Sequence, residues 1–393
     1  MENRFKQILI FVTFLLAFSF YTYVPILALH AQQLGASYEM IGLIVGSYGI
    51  VQVFLRIPIG IFSDSRSCHK AFIILAMMLS LMSSLGMWLM PIVLALLVFR
   101  TLSGVAASMW LNYTVLYASY FPPHEAPKAL GFVNAVNSFG QVAGMLAGGY
   151  VAQQVGIDAT FMLSVAGAAI GTVLAMFVYE EKRPRKAVNT AALSEALRDE
   201  NVLRLSGLGI ITQIITFVTV FGFLPVAGKE LGATHMELGI LTTVAIVPSI
   251  ISSALSGSVF SVHFGERRTL VFGLMIMALS SIVIPFVTTL PGLYISQAVG
   301  GFGKGLVFPL LMGLCIKNFA ADKRTTAMGV FQASYGLGMF GGPVLAGWIN
   351  SVFGLHAGFA VTGLIGFVGA ALAGWPRYLP LGSGHKPEPI KIA

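Results

Sequence analysis

Charge is what this sequence has least of. Only 10% of its 393 residues are charged, against 56% hydrophobic with a mean hydropathy of +0.86. Apolar side chains in that proportion cannot all be hidden inside a soluble globule of this size, so the outer surface must face lipid. Cysteine is nearly missing too: Cys68 and Cys315 are the whole set, which excludes a disulfide framework. No His, Cys or acidic residues group at metal-ligand spacing and no Ser/His/Asp arrangement is evident, so neither an enzyme nor a metal or other cofactor is expected. Acidic residues number 15 against 23 basic ones, a formal net charge of +8. In a soluble protein that excess would point to nucleic acid. Here the basic residues fall in short segments between apolar runs, which is a topology signal instead.

What the chain does have is glycine, and the glycines repeat. Gly131, Gly140 and Gly144 have the same spacing as Gly329, Gly338 and Gly342 within two apolar stretches, the first running on to Gly148 and Gly149 and the second through Pro343 to Gly347. Glycines at four-residue spacing make a flat strip on one helical face that a neighbouring backbone can approach. Leu34, Gly35, Ala36, Ser37 and Gly42 answer to Leu231, Gly232, Ala233, Thr234 and Gly239, and Gly60 to Gly257, in a register one residue different from that of the glycine stretches. Duplicated halves in a membrane chain suggest a transporter with its site between the repeats.

A crossing needs about 20 apolar residues. Spans are expected at 7–30, 38–63, 70–90, 92–118, 129–154 and 159–179, then at 204–228, 236–262, 269–289, 291–317, 326–352 and 355–375. Only helices satisfy the backbone in lipid at this length, so the fold class is all-α: twelve transmembrane helices in two pseudo-symmetric six-helix bundles. The expected units are a first bundle over 1–180, a linker over 181–203, a second bundle over 204–376 and a tail over 377–393. The apolar run after the basic N-terminal residues exceeds a signal-peptide core, so it reads as a retained first helix. Arg4, Lys6, Arg66, Lys70, Lys128, Arg267, Arg268, Lys323 and Arg324 all fall at alternate connections, whereas the opposite set holds essentially Lys229 alone. Both termini are therefore expected on the cytoplasmic side. Within the linker, Leu193, Leu197 and Val202 are spaced as one helical face over 191–203, which predicts an interfacial helix.

Polar residues deep in apolar runs are the site candidates. Arg100 lies above a small-residue strip of Ser103, Gly104 and Ser108, and Lys304 sits among Gly300, Gly301, Gly303 and Gly305 near the expected midplane. A buried cation in a span must face protein, water or substrate. Arg56, Gly60 and Asp64 share an arc of one helix, where Asp64 can act as a latch at the helix end or be solvated. Asn134, Asn137 and Gln141 form an amide stripe, and Gln332 and Tyr335 hold the positions matching the two asparagines. Such groups bind a polar substrate or glue helices together. His30 and Glu39 bracket an outer connection and read as solvated, while Tyr21, Tyr113 and Phe221 are available to stack on a ring.

These residues resemble the major facilitator superfamily, specifically its twelve-span drug and metabolite proton antiporters, over nearly the whole chain. Gly131, Gly140, Gly144 and Gly148 look like the fifth-helix antiporter motif, with Met145 where the family has proline; the second copy keeps it as Pro343. Arg100 and Gly104 resemble the fourth-helix motif, whose arginine the family implicates in proton coupling. Gly60, Asp64 and Arg66 resemble the signature loop between helices two and three, a latch for the outward-facing state. In that loop Ser65, Ser67 and Cys68 replace the usual arginine, glycine and arginine, and Ser261 stands at the second-half aspartate position. The resemblance implies a cavity lined chiefly by helices one, four, seven and ten. It also implies a small-molecule substrate, protons as coupling ion, a monomer in the bacterial-type inner membrane, and no nucleic-acid partner.

The expected function is alternating-access export of a drug or metabolite in exchange for protons. Import, a lipid flippase or a transport-inactive sensor are the alternatives on the same fold. One departure sharpens the expectation: the run 7–30 has no carboxylate and helices four and ten have no acid. A cavity offering Arg100 and Lys304 without a core carboxylate should prefer an anionic or zwitterionic amphiphile. Loss of a proton from desolvated Lys304 would then serve the coupling.

Overall fold

A computed structural model describes residues 2–122, 124–181, 190–320 and 323–379. It is helical throughout, with no strand among the described residues. The spans are α1 (Glu2–Tyr21, resuming as Val24–Gln33), α2 (Tyr38–Arg66), α3 (His69–Leu89), α4 (Val93–Ala107, resuming as Trp110–Ser119), α5 (Ala126–Gln154) and α6 (Ile157–Ala175). The second half holds α7 (Glu200–Val218, then a π-helical turn Thr219–Phe223 and Leu224–Glu230) and α8 (His235–Leu255, a π-helical turn Ser256–Phe260 and Ser261–Phe264). After these come α9 (Glu266–Val283), α10 (Leu290–Lys317), α11 (Arg324–Phe353) and α12 (Leu355–Gly374). Ten of these spans are long and apolar enough by composition to cross a membrane; α5 and α11 fall short because their glycines and amides dilute the hydropathy. Phe54, Leu94, Phe139 and Phe286 are among the large apolar side chains left exposed, as a lipid-facing belt requires.

The duplication is visible in backbone geometry. Gly35 and Gly232 end α1 and α7 at φ of 86° and 84°, and Ser37 and Thr234 then cap α2 and α8 with extended backbone and a side-chain oxygen on the third amide. At the other ends of α2 and α8, Ser67 (φ 49°) matches Gly265 (φ 84°). Between Gly257 and Gly265 the second half carries one residue more than the first does between Gly60 and Ser67. The π-helical turn Ser256–Phe260, which α2 lacks, takes it up. The one-residue change of register in the sequence is therefore a bulge in α8.

Within the first half α1 packs on α5 and α6, α3 on α4 and α6, and α2 on α4; within the second, α7 packs on α11, α8 and α9 on α10, and α9 on α12. The halves meet along α2–α11 and α5–α8. These seams are tight at the end remote from the basic connections. There Gly42 and Gly46 abut the backbone of Pro343 and Phe340, and Gly149 abuts Gly239. Toward the basic end Gly131, Gly257, Gly313 and Gly329 have no neighbour within 4 Å of a Cβ position. One apolar core joins both halves at the far end, from Tyr23 and Ile41 to Phe223 and Leu238, whereas a second, around Leu274, Leu311 and Phe331, serves mainly the second half. The molecule is closed at its far end and open at its basic end.

Gly140 and Gly144, like Gly338 and Gly342, do not lie on the seam between halves. A Cβ at Gly140 or Gly144 would stand 2.7 Å from the carbonyl oxygens of Phe14 and Phe18 on α1, and Gly338 and Gly342 press on Ile210 and Ile214 of α7. They fasten each half internally. The linker helix also differs from expectation: it is Thr190–Arg198, because Asp199 accepts from the Val202 amide at 2.9 Å and starts α7 there. Ala196 is fully buried in the second-half core, and Lys323 bonds Glu195 at 2.6 Å, so this helix docks on protein.

Candidate functional site

The helices around the centre are the interrupted ones. Pro25 follows the break in α1 at once, and Pro225 follows the π-helical turn of α7. A proline lacks an N–H and clashes with the carbonyl four residues back, so the helix must open or bulge just before it. The openings put Tyr21 and Phe221 ring to ring, with centroids 5.7 Å apart. Phe217 then meets Phe221 edge-on (5.0 Å) and stacks on Tyr48 of α2 (6.3 Å), making an aromatic wall across both halves.

Three cations border this wall, and each meets a different fate. Arg100 is 3% exposed and lies inside the first half, its guanidinium 4.4 Å from the Tyr48 ring centroid and donating to the Tyr23 hydroxyl at 3.1 Å. Arg56 is 6% exposed and clasps the two halves: it donates to Gln52 on its own helix at 2.5 Å, and to Tyr335 Oη at 2.8 Å and Gln332 Oε1 at 3.4 Å on α11. Lys304 faces a cavity. Its Nζ stands 5.9 Å from the Phe221 ring centroid, with no hydrogen-bonding or ionic partner among the described residues.

The cavity, about 220 Å³, is enclosed by α7, α8, α9 and α10 with Ser138 and Gln141 of α5. The glycines beside Lys304 explain its aim. Gly301 and Gly305 press on the α8 backbone at Ala245 and Ser249, and Gly303 meets the Gly273 carbonyl of α9 at 2.7 Å. Both packed faces of α10 are thus taken, and Lys304 projects from a third. None of the described carboxylates lines the space; its polar groups are amides and hydroxyls, among them Gln213, Thr216, Thr219 and Gln297.

Of the other residues singled out in the sequence, Gln141 lines the cavity, while Asn134 is exposed and donates to the Leu130 carbonyl at 2.7 Å and Asn137 is half-buried. Gln332 and Tyr335 meet Arg56 as described. Tyr113 is fully buried away from the cavity and donates to the Ile73 carbonyl at 3.2 Å. His30 is not solvated: it is 7% exposed against the Phe161 ring. In the signature loop, Gly60 packs on Leu111, Arg66 lies 4.2 Å from the Phe62 ring centroid, and the Asp64 side chain falls outside the described residues. The amides of His69 and Lys70 at the start of α3 donate to Glu180, both at 2.8 Å. Burial, then the Glu180 charge, raises the neighbouring Cys68 thiol above its ordinary range. Sequence reasoning missed Glu180, Tyr48, Phe217 and Gln213. The last could have been found, because Gln213, Thr216 and Val220 with Thr212 and Thr219 trace one polar-edged helical face.

A sequence profile for the Major Facilitator Superfamily matches residues 9–226 and 205–391, between them both halves. The inner membrane transport protein YajR of Escherichia coli strain K12 is 24% identical over 384 residues, 94% of this chain and 82% of that one. The multi-drug resistance efflux pump PmrA of Streptococcus pneumoniae is 24% identical over 367 residues, 90% and 91% of the two chains. Among solved structures, a D-xylose-proton symporter superposes with TM-score 0.77 at 17% identity over 94% of this chain and 97% of that one. The nucleoside transporter NupG gives 0.76 at 16% over 95% and 99%.

Proposed function

From a chain that belongs to the Major Facilitator Superfamily, a family of membrane transporters and not of enzymes, we propose alternating-access export of a small anionic or zwitterionic organic solute coupled to protons. The observation that carries this reading is Lys304, a cation with no hydrogen-bonding or ionic partner among the described residues, on a cavity that no described carboxylate lines. In a low-dielectric cavity such a cation attracts an anion and repels a second cation by several kcal/mol at contact. Export is favoured by the efflux pump among the relatives. With the basic connections cytoplasmic, the open end faces the cytoplasm and can load substrate there.

Protons enter the cycle through Lys304 in this reading. Proton and anion occupy the site together, since the neutral amine no longer holds an anion; release of its proton and release of substrate become linked. The chain works as a monomer in the plasma membrane with both termini inside. Counterflow of a labelled metabolite library in proteoliposomes, with and without a pH gradient, tests it. Accumulation of anions or zwitterions that responds to the gradient is expected, and exclusive uptake of lipophilic cations would overturn the reading.

A further inference from the structure

Resting on that reading, we infer that the substrate carries hydrogen-bond donors, an ammonium or hydroxyl groups, beside its anionic group, and that Gln213 on α7 receives them while Lys304 takes the anion. Gln213 is only 7% exposed, lines the cavity, and has no partner for its carbonyl oxygen among the described residues. A buried amide oxygen left without a donor costs roughly a kcal/mol or more, so a ligand that supplies one gains what the empty site forgoes.

The hydroxyls around Gln213 point to the same chemistry. Thr216 spends its proton on the Thr212 carbonyl (2.9 Å), Thr219 on the Ile215 carbonyl (2.7 Å), and Ser280 on the Met277 carbonyl (2.8 Å). All three line the cavity. A hydroxyl that donates to its own helix has only lone pairs left to offer. The wall made by α7 and α9 is therefore rich in acceptors, and the ammonium of Lys304 faces the same space from α10. A plain hydrophobic anion would satisfy the lysine and leave that wall unmatched. A zwitterion or a polyhydroxylated acid matches both. The cavity volume of about 220 Å³ suits a compact metabolite.

Binding of labelled hexanoate, gluconate and 6-aminohexanoate to the purified full-length protein separates these cases, since the three share a six-carbon acid and differ in donors. Gluconate or 6-aminohexanoate should bind at least about tenfold more tightly than hexanoate, the effect of one or more buried hydrogen bonds. Gln213→Met should reduce that ratio to within about twofold. Gln213→Glu, which keeps the acceptor and adds a charge, should favour 6-aminohexanoate over gluconate by a further tenfold or so, and it guards against a misfolded methionine variant. Hexanoate binding as tightly as both donor-bearing acids, or an undiminished ratio in Gln213→Met, overturns the inference. Failure of the underlying reading looks different: Lys304→Ala would then leave the binding of all three acids unchanged.

Discussion

The clasp between Arg56 and α11 sets the balance between the two arrangements of the halves, and Tyr335→Phe isolates its contribution. The change removes one hydroxyl, the acceptor 2.8 Å from the guanidinium, and keeps the ring whose centroid lies 5.6 Å from Arg56. Arg56 retains Gln52 on its own helix in either arrangement, so that bond does not count toward the difference. A hydrogen bond to a charged group contributes about 1.5–3 kcal/mol. Arg56 is 6% exposed, so little water can replace the lost acceptor. The remaining contact to Gln332 at 3.4 Å is long and compensates weakly. Taking about 1.5 kcal/mol, the population open at the far end should rise roughly tenfold. Spin labels at the exposed far-end residues Gln33 and Glu230, one on each half, report this by double electron–electron resonance after Cys68 and Cys315 are replaced by serine. A distance distribution identical in Tyr335→Phe and the parent would refute the reasoning, because the clasp would then persist through the cycle or contribute nothing.

Gly144→Val drives carbon into a space where a Cβ already stands 2.7 Å from the Phe18 carbonyl; overpacking of about 1–3 kcal/mol should lower the melting temperature and transport together, whereas Gly131→Val, with no neighbour within 4 Å, should be silent in the same thermal-shift assay. Ser67→Gly relieves the one non-glycine residue among those described that sits at positive φ and should stabilise the protein by about 1 kcal/mol, seen as a raised melting temperature; no rise would mean that the serine side chain offsets its strain. Cys68 should alkylate slowly at pH 8 because burial, with the Glu180 charge second, raises its thiol. Glu180→Gln removes that charge, so the thiolate fraction and the alkylation rate should increase; an unchanged rate would assign the whole effect to burial.

The far-end turns were legible in the sequence because their chemistry is local. Gly35 and Gly232 supply positive φ, and Ser37 and Thr234 supply caps, whatever surrounds them. The change of register between the repeats was equally visible, but only the backbone assigns it to a π-helical turn in α8. The cations show where local reasoning stops. Arg56, Arg100 and Lys304 look alike as lone charges in apolar runs, and their fates depend on residues far away in the chain: Tyr335, Tyr23 with Tyr48, and Phe221. Gln213 lies on a polar-edged face that the sequence shows, but its role was hidden for a related reason. An amide on an apolar helix fits helix glue as well as a ligand site, and which applies depends on whether a neighbouring helix supplies a donor. That the glycine strips admit a neighbouring backbone was legible, but which neighbour was not: along Gly140 and Gly144 α5 faces α1 inside one half, whereas the α2–α11 and α5–α8 contacts join the halves.

The central claim is that Lys304, without a carboxylate beside it, sets the sign of the substrate's charge. The most direct measurement compares binding of two dyes of matched size and ring system, one carrying a carboxylate and the other a quaternary ammonium, to purified parent, Lys304→Ala and Lys304→Arg proteins. The account predicts that the parent prefers the anion, that Lys304→Ala loses the preference, and that Lys304→Arg keeps it while the coupling of binding to protons is lost, since arginine does not release its proton. Tighter binding of the cation by the parent, or an anion preference that survives Lys304→Ala with its pH dependence intact, would contradict it.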